Sequence, residues 1–148
     1  MGDSRIPYTK ALSFLKEEDE ANGNLYLSKV KIESLRKRLD ELMEQQKPFL
    51  RHHYSLNDLA RDLELPPYLT SAFINNILQQ RFNDLINYYR ITYCLQLLTN
   101  HIKPELRVNK LPAACGYNNR NTFTNAFKKF TQRTPLSYIS QLKKEANQ

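Results

Sequence analysis

An all-α fold is predicted for this chain: two short two-helix units joined by a long linker helix, with a connector helix ahead of them. Three observations lead there. Apolar residues recur at helical spacing in one segment after another. Prolines at 48, 66, 67, 104 and 135 fall where those segments must stop or start, because proline cannot continue a helix that is already under way. Only three glycines, at 2, 23 and 116, supply the positive-φ positions that hairpins need, which argues against a β-rich fold. With 148 residues, 41% of them hydrophobic, the chain can bury one core with an appendage, but not a separate ligand-binding domain as well.

Residues 1–27 hold an acidic cluster from Glu17 to Glu20 and an Asn-Gly-Asn turn signal; they are expected to be weakly ordered or part of something truncated. The connector helix is assigned to 28–48. There Ile32, Leu35, Leu39 and Leu42 make an apolar stripe, and Glu33/Lys37 and Arg36/Asp40 are opposite charges four apart. Ser28 can cap it and Pro48 stops it. The stripe is expected either to pack on the domain after Pro48 or to support self-association.

A helix-turn-helix is expected over 55–80. Ser55 and Asp58 have capping-box spacing, and Leu56, Leu59, Ala60 and Leu63 share one face of a two-turn helix. Pro66-Pro67 ends that helix and opens another. Ala60 is small where two helices must approach closely, and Glu64 stands in the turn where glycine is common. The linker helix over 82–99 carries the widest apolar face, with Phe82, Leu85, Ile86, Tyr89, Tyr93, Cys94, Leu97 and Leu98, and Asn83 is placed to cap it. A break is expected between Asn100 and Pro104.

The design repeats over 107–130. A short helix around Asn109 to Cys115 ends at Gly116, which can take a left-handed turn. Asn118 or Asn119 then caps a second helix running to Phe130, with Phe123, Phe127 and Phe130 expected inward. Thr134-Pro135 starts a closing helix over 135–143 with Tyr138, Ile139 and Leu142.

Charge divides the chain. Residues 1–48 hold nine basic and nine acidic side chains, and 49–148 hold thirteen and six, so the whole excess of +7 lies in the second part. That asymmetry points to a polyanionic partner. Cys94 and Cys115 lack disulfide or metal spacing and are expected as inert core thiols. His52, His53 and His101 show no ligand spacing. Neither a membrane span nor a signal pattern is present, and a cytoplasmic setting is expected. The chain has no Gly-rich phosphate loop, nucleophile elbow or metal cluster, so neither an enzyme nor a cofactor is expected.

The segment ACGYNNRNTFTNAFKKFTQRTPLSYI resembles the second helix-turn-helix and closing helix of AraC/XylS-type regulators, matching at Gly116, Tyr117, Thr122, Phe123, Phe127, Lys128, Lys129, Thr134, Pro135, Tyr138 and Ile139. The stretch SLNDLARDLELPPYLTSAFINNILQQRFNDLINYYRITYCLQLL resembles the first unit and linker helix, through Leu59, Ala60, Leu63, Phe82, Ile86 and Arg90. The resemblance covers about 50–143 and assigns 49–148 to the DNA-binding domain. Three departures are visible. Gln79 or Gln80 and Gln132 stand where the family has glycine, and left-handed backbone there costs about 1–2 kcal/mol each. Pro112 requires a place in the first turn of its helix. One residue more than usual separates Leu69 from Phe82, which leaves the face of the first recognition helix open by about a third of a turn.

The resemblance implies double-stranded DNA as the partner, with both recognition helices in successive major-groove segments. Arg120 would take a guanine or a phosphate, Asn121 and Asn125 adenine, and Thr122 and Thr124 a phosphate or thymine methyl. Lys128, Lys129, Lys110 and Arg133 would neutralise phosphates, and Pro67, Thr70 and Ser71 would face DNA in the first unit. Arg90 is expected in a structural ion pair. RNA polymerase is a further partner the resemblance brings. The stretch MEQQKPFLRHHYSLNDLA resembles the junction of Bacteroidetes-type members, which implies a sensor domain further upstream, in some cases beyond a membrane segment. Two other readings stay open at this point: a nonspecific or architectural DNA-binding module, and a basic helical module for an acidic protein partner.

Overall fold

The computed structural model of the chain describes residues 29–100 and 108–147, and all regular structure among them is helical. Seven α-helices run in order: α1 Lys29–Gln45, α2 Leu56–Leu63, α3 Pro67–Ala72, α4 Phe82–Asn100, α5 Leu111–Ala114, α6 Arg120–Thr131 and α7 Pro135–Ala146. Single 3-10 turns lie at Pro48–Leu50 and Val108–Lys110, and a π-helical turn, Phe73–Ile77, extends α3. The 1–27 segment, the Ser28 cap, the break after Asn100, the start of the second unit at 107 and His101 lie outside the described residues. None of the described helices is long and apolar enough to cross a membrane.

Two compact units emerge, and they are not consecutive in sequence. The first combines described residues 29–48 with 54–82; the second combines 49–53 with 83–100 and 108–147.

In the first unit α1 packs on α2. Leu35, Leu39, Leu42 and Met43 of α1 are buried, and the Arg38 guanidinium donates to the Leu63 carbonyl at the end of α2. Three of the four stripe residues, Leu35, Leu39 and Leu42, are thus covered within the chain, and Ile32 is half-buried. Helix α2 starts with a complete capping box: the Ser55 hydroxyl accepts from the Asp58 amide at 3.2 Å, and the Asp58 carboxylate accepts from the Ser55 amide at 2.9 Å. Its end needs a left-handed residue, and Glu64 supplies it at φ 58°. The Leu65 amide then reaches back to the Ala60 carbonyl at 2.9 Å, and Pro67 enters the first turn of α3, where its missing N–H costs nothing.

The second unit is built around one cluster: Ile91, Cys94 and Leu98 of α4, Leu111 of α5, Cys115 and Tyr117 of the turn, and Phe123, Ala126 and Phe127 of α6. Tyr138, Ile139 and Leu142 of α7 pack against it. Pro112 lies in the first turn of α5. Two expectations are corrected. Helix α4 begins at Phe82, so Asn83 lies inside its first turn rather than capping it; the Phe82 ring packs 6.4 Å from Tyr54. Phe130 does not turn inward: it is 39% exposed and rests 6.3 Å from Tyr88, while Ala126 takes the interior position. The closing helix also continues past 143, to Ala146.

Segment 49–53 interrupts the first unit in sequence yet is held by the second. Arg90 Nε donates to the Phe49 carbonyl at 2.7 Å and Nη2 to that of Arg51 at 3.1 Å. Its guanidinium lies 5.0 Å over the Tyr117 ring. Arg90 is thus structural through carbonyls and a π face rather than through the expected ion pair. Burial lowers its pKa and the neighbouring Tyr117 partly restores it. The Tyr117 hydroxyl donates to Asn87 Oδ1 at 2.7 Å.

Candidate nucleic-acid interface

Helix α6 owes its position to the turn before it. Gly116 sits at φ 93°, and a Cβ there would stand 2.5 Å from the Phe49 carbonyl oxygen. Only glycine lets segment 49–50 come so close. Extended backbone at Asn119 then aims its side chain down the new helix axis, where Oδ1 accepts from the Asn121 amide at 2.8 Å and the Thr122 amide at 3.1 Å. An N-cap of this kind contributes about 1 kcal/mol.

With Phe123, Ala126 and Phe127 buried, the opposite side of α6 is left to Arg120, Asn121, Thr122, Asn125 and Lys128, all exposed, with Thr124 half-buried beside them. The expected Arg120, Asn121, Thr122, Thr124, Asn125, Lys128 and Lys129 therefore share one helix. Lys129 differs, because its ammonium lies 2.9 Å from the Asp84 carboxylate of α4. Both partners are exposed, so the pair contributes no more than about 1 kcal/mol and a phosphate can compete for the lysine. Lys110 and Arg133 are exposed as well. Next to the cap, Asn118 Nδ2 lies 3.0 Å from His53 Nε2, which brings segment 49–53 alongside the start of α6.

The first unit corrects one expected residue. Thr70 is 0% exposed, and its hydroxyl donates to the Pro66 carbonyl at 3.1 Å. It braces the first turn of α3 from inside and cannot face a ligand. Pro67 is exposed and Ser71 half-buried. Tyr68, 59% exposed, and the exposed Asn75 and Asn76 also lie on this surface and were not among the expected residues. The signal that could have found them is a repeat of four in the hydrophobic pattern after Pro67.

Cys94 and Cys115 are buried and unlinked. A hydrogen bond to Cys94 and then burial push the Cys115 thiol above its ordinary range.

A helix-turn-helix domain model matches residues 59–141. YijO of Escherichia coli (strain K12), described as an uncharacterised HTH-type transcriptional regulator, is 24% identical over 108 residues, which cover 70% of this chain and 37% of that protein. The chain thus spans little more than a third of the length of this curated relative. Among solved structures, the C-terminal domain of AraT, a response regulator from Geobacillus stearothermophilus, matches with a TM-score of 0.59 at 23% identity over 72% of this chain and 84% of that one. A DNA-binding transcriptional dual regulator from Escherichia coli K-12 matches with a TM-score of 0.60 at 20% identity, over 72% and 96%. Likeness at that level of identity establishes the shared all-α fold.

Proposed function

We propose, from the premise that this chain belongs to the AraC-type helix-turn-helix family, that it binds double-stranded DNA sequence-specifically to regulate transcription, with a recognition helix of each unit in successive major-groove segments. The observation that carries this reading is α6. One side of it is locked into the aromatic core through Phe123 and Phe127, and the other presents a forked cation, two carboxamides and hydroxyls to solvent.

Those groups match what base edges offer. The Arg120 guanidinium can donate both arms to guanine O6 and N7, and the Asn121 and Asn125 amides can each give and take one bond with adenine N6 and N7. A good bidentate pair discriminates by about 1–3 kcal/mol against the wrong base. Thr122 and Thr124 reach a phosphate oxygen or a thymine methyl. Lys110, Lys128 and Arg133 neutralise phosphates, joined by Lys129 once it leaves Asp84; such contacts fix register and add affinity without choosing sequence. A basic excess confined to 49–148 fits this division of labour.

Selection of the whole chain against a randomised double-stranded DNA pool, at two salt concentrations, tests the proposal. Two short enriched boxes about one helical turn apart, one of them relaxed by Arg120→Ala, would support it. Salt-sensitive binding without enrichment would establish a nonspecific module instead, and no binding at low salt would remove DNA as the ligand.

A further inference from the structure

Burial in the first unit recurs every four residues. Leu69/Thr70 and Phe73/Ile74 are buried and Ile77/Leu78 half-buried at the end of the run, while Pro67/Tyr68, Asn75/Asn76 and Gln79/Gln80 face solvent and Ser71/Ala72 lie between them. In a straight α-helix each step of four overshoots a full turn by about 40°, so the later pairs would rotate off the face set by the first. The π turn Phe73–Ile77 removes that drift. Its wider ring is closed by the Leu78 amide on the Phe73 carbonyl at 3.0 Å, and the helix then ends where Gln79 turns left-handed at φ 52° and the Gln80 amide reaches back six residues to the Ile74 carbonyl at 3.1 Å. Ile77/Leu78 thus stay in phase with Phe73/Ile74, and Asn75 and Asn76 stay in phase with Tyr68 and Ser71. Turns of this π type are frequent at functional sites.

One of the two amides is already oriented. Asn75 Nδ2 donates to Ser71 Oγ at 3.2 Å, which uses one amide proton and leaves the other, with Oδ1, as a donor and acceptor pair. That is the pattern adenine N7 and N6 complete in the major groove. Resting on the DNA-binding reading, we propose that Asn75 and Asn76, held outward by the π turn, are the base-reading residues of the first unit, and that the box beneath it carries adenine at neighbouring positions.

The test is the same selection on the whole chain, run with Asn75→Ala, Asn76→Ala and Asn75→Asp. The last variant keeps the size of the side chain and removes the amide donor. Both positions are solvent-facing, so far-UV circular dichroism and melting temperature should match the parent, and that match is checked first. The expected result is loss of adenine preference in the box that Arg120→Ala leaves intact, with binding to the parental site weakened roughly tenfold. Two boxes with unchanged preferences in all three variants would overturn this inference and leave the DNA-binding reading standing. Absence of any enriched box with the parent chain would overturn both.

Discussion

Replacing Gly116 with alanine tests the packing that sets α6. At φ 93° a side chain costs about 1–2 kcal/mol in backbone strain alone. The new Cβ would stand 2.5 Å from the Phe49 oxygen, 3.0 Å from Arg90 Nε and 3.1 Å from Leu50 Cα. Two of these neighbours are backbone, and the segment carrying them is pinned by the two Arg90 hydrogen bonds, so it cannot yield cheaply. Overpacking of this kind costs about 1–3 kcal/mol. A total near 3 kcal/mol lowers the melting temperature by about 6–12 °C in a chain of this size. Thermal unfolding monitored by circular dichroism measures it, and Arg90→Met supplies the cross-check: because both changes act through segment 49–51, the double variant should lose less than the two single losses combined. A melting temperature for Gly116→Ala within about 2 °C of the parent, or strict additivity with Arg90→Met, would refute the close-approach argument.

Three further outcomes are expected. Gln132→Gly should raise stability by about 0.5–1 kcal/mol in urea unfolding, since relief of left-handed strain at φ 62° outweighs the added freedom of glycine in the unfolded chain; a drop would mean that the Gln132 side-chain bond to the Lys129 carbonyl at 3.1 Å matters more. Asn119→Ala should cost about 1 kcal/mol by the same measurement, with Asn119→Asp close to neutral, and no difference between the two would remove the cap from the account. Hydrogen bonding and burial raise the Cys115 thiol, and burial raises the Tyr117 phenol against the partial opposition of Arg90, so the folded state holds both protons more tightly than the unfolded chain. Their contribution is complete below the unfolded thiol and phenol ranges, roughly pH 8 to 10, and is lost as pH climbs beyond them. The urea midpoint should therefore fall above about pH 10, and Tyr117→Phe should shrink that fall.

Features that depend on neighbours a few residues away were legible in the amino-acid order. The capping box of Ser55 and Asp58, a cap at Asn118 or Asn119, the start of a helix at Thr134-Pro135, the left-handed turn at Gly116 and the inward Phe123 and Phe127 are contained in spacing, because their hydrogen bonds and faces close within one or two helical turns. The outward residues of α6 were implied by the resemblance. Features that depend on distant partners needed the folded chain. Packing gave Arg90 two carbonyls from residues 41 and 39 positions upstream and the ring of Tyr117 from downstream, and it moved segment 49–53 into the second unit. It also covered Leu35, Leu39 and Leu42 of the α1 stripe and left Phe130 outside. In α3 and its π-helical extension the 3.6-residue period failed, because a π turn keeps successive apolar pairs on the core, a constraint that the spacing of neighbouring residues does not announce. That pairing holds Thr70 inside and Asn75 and Asn76 out.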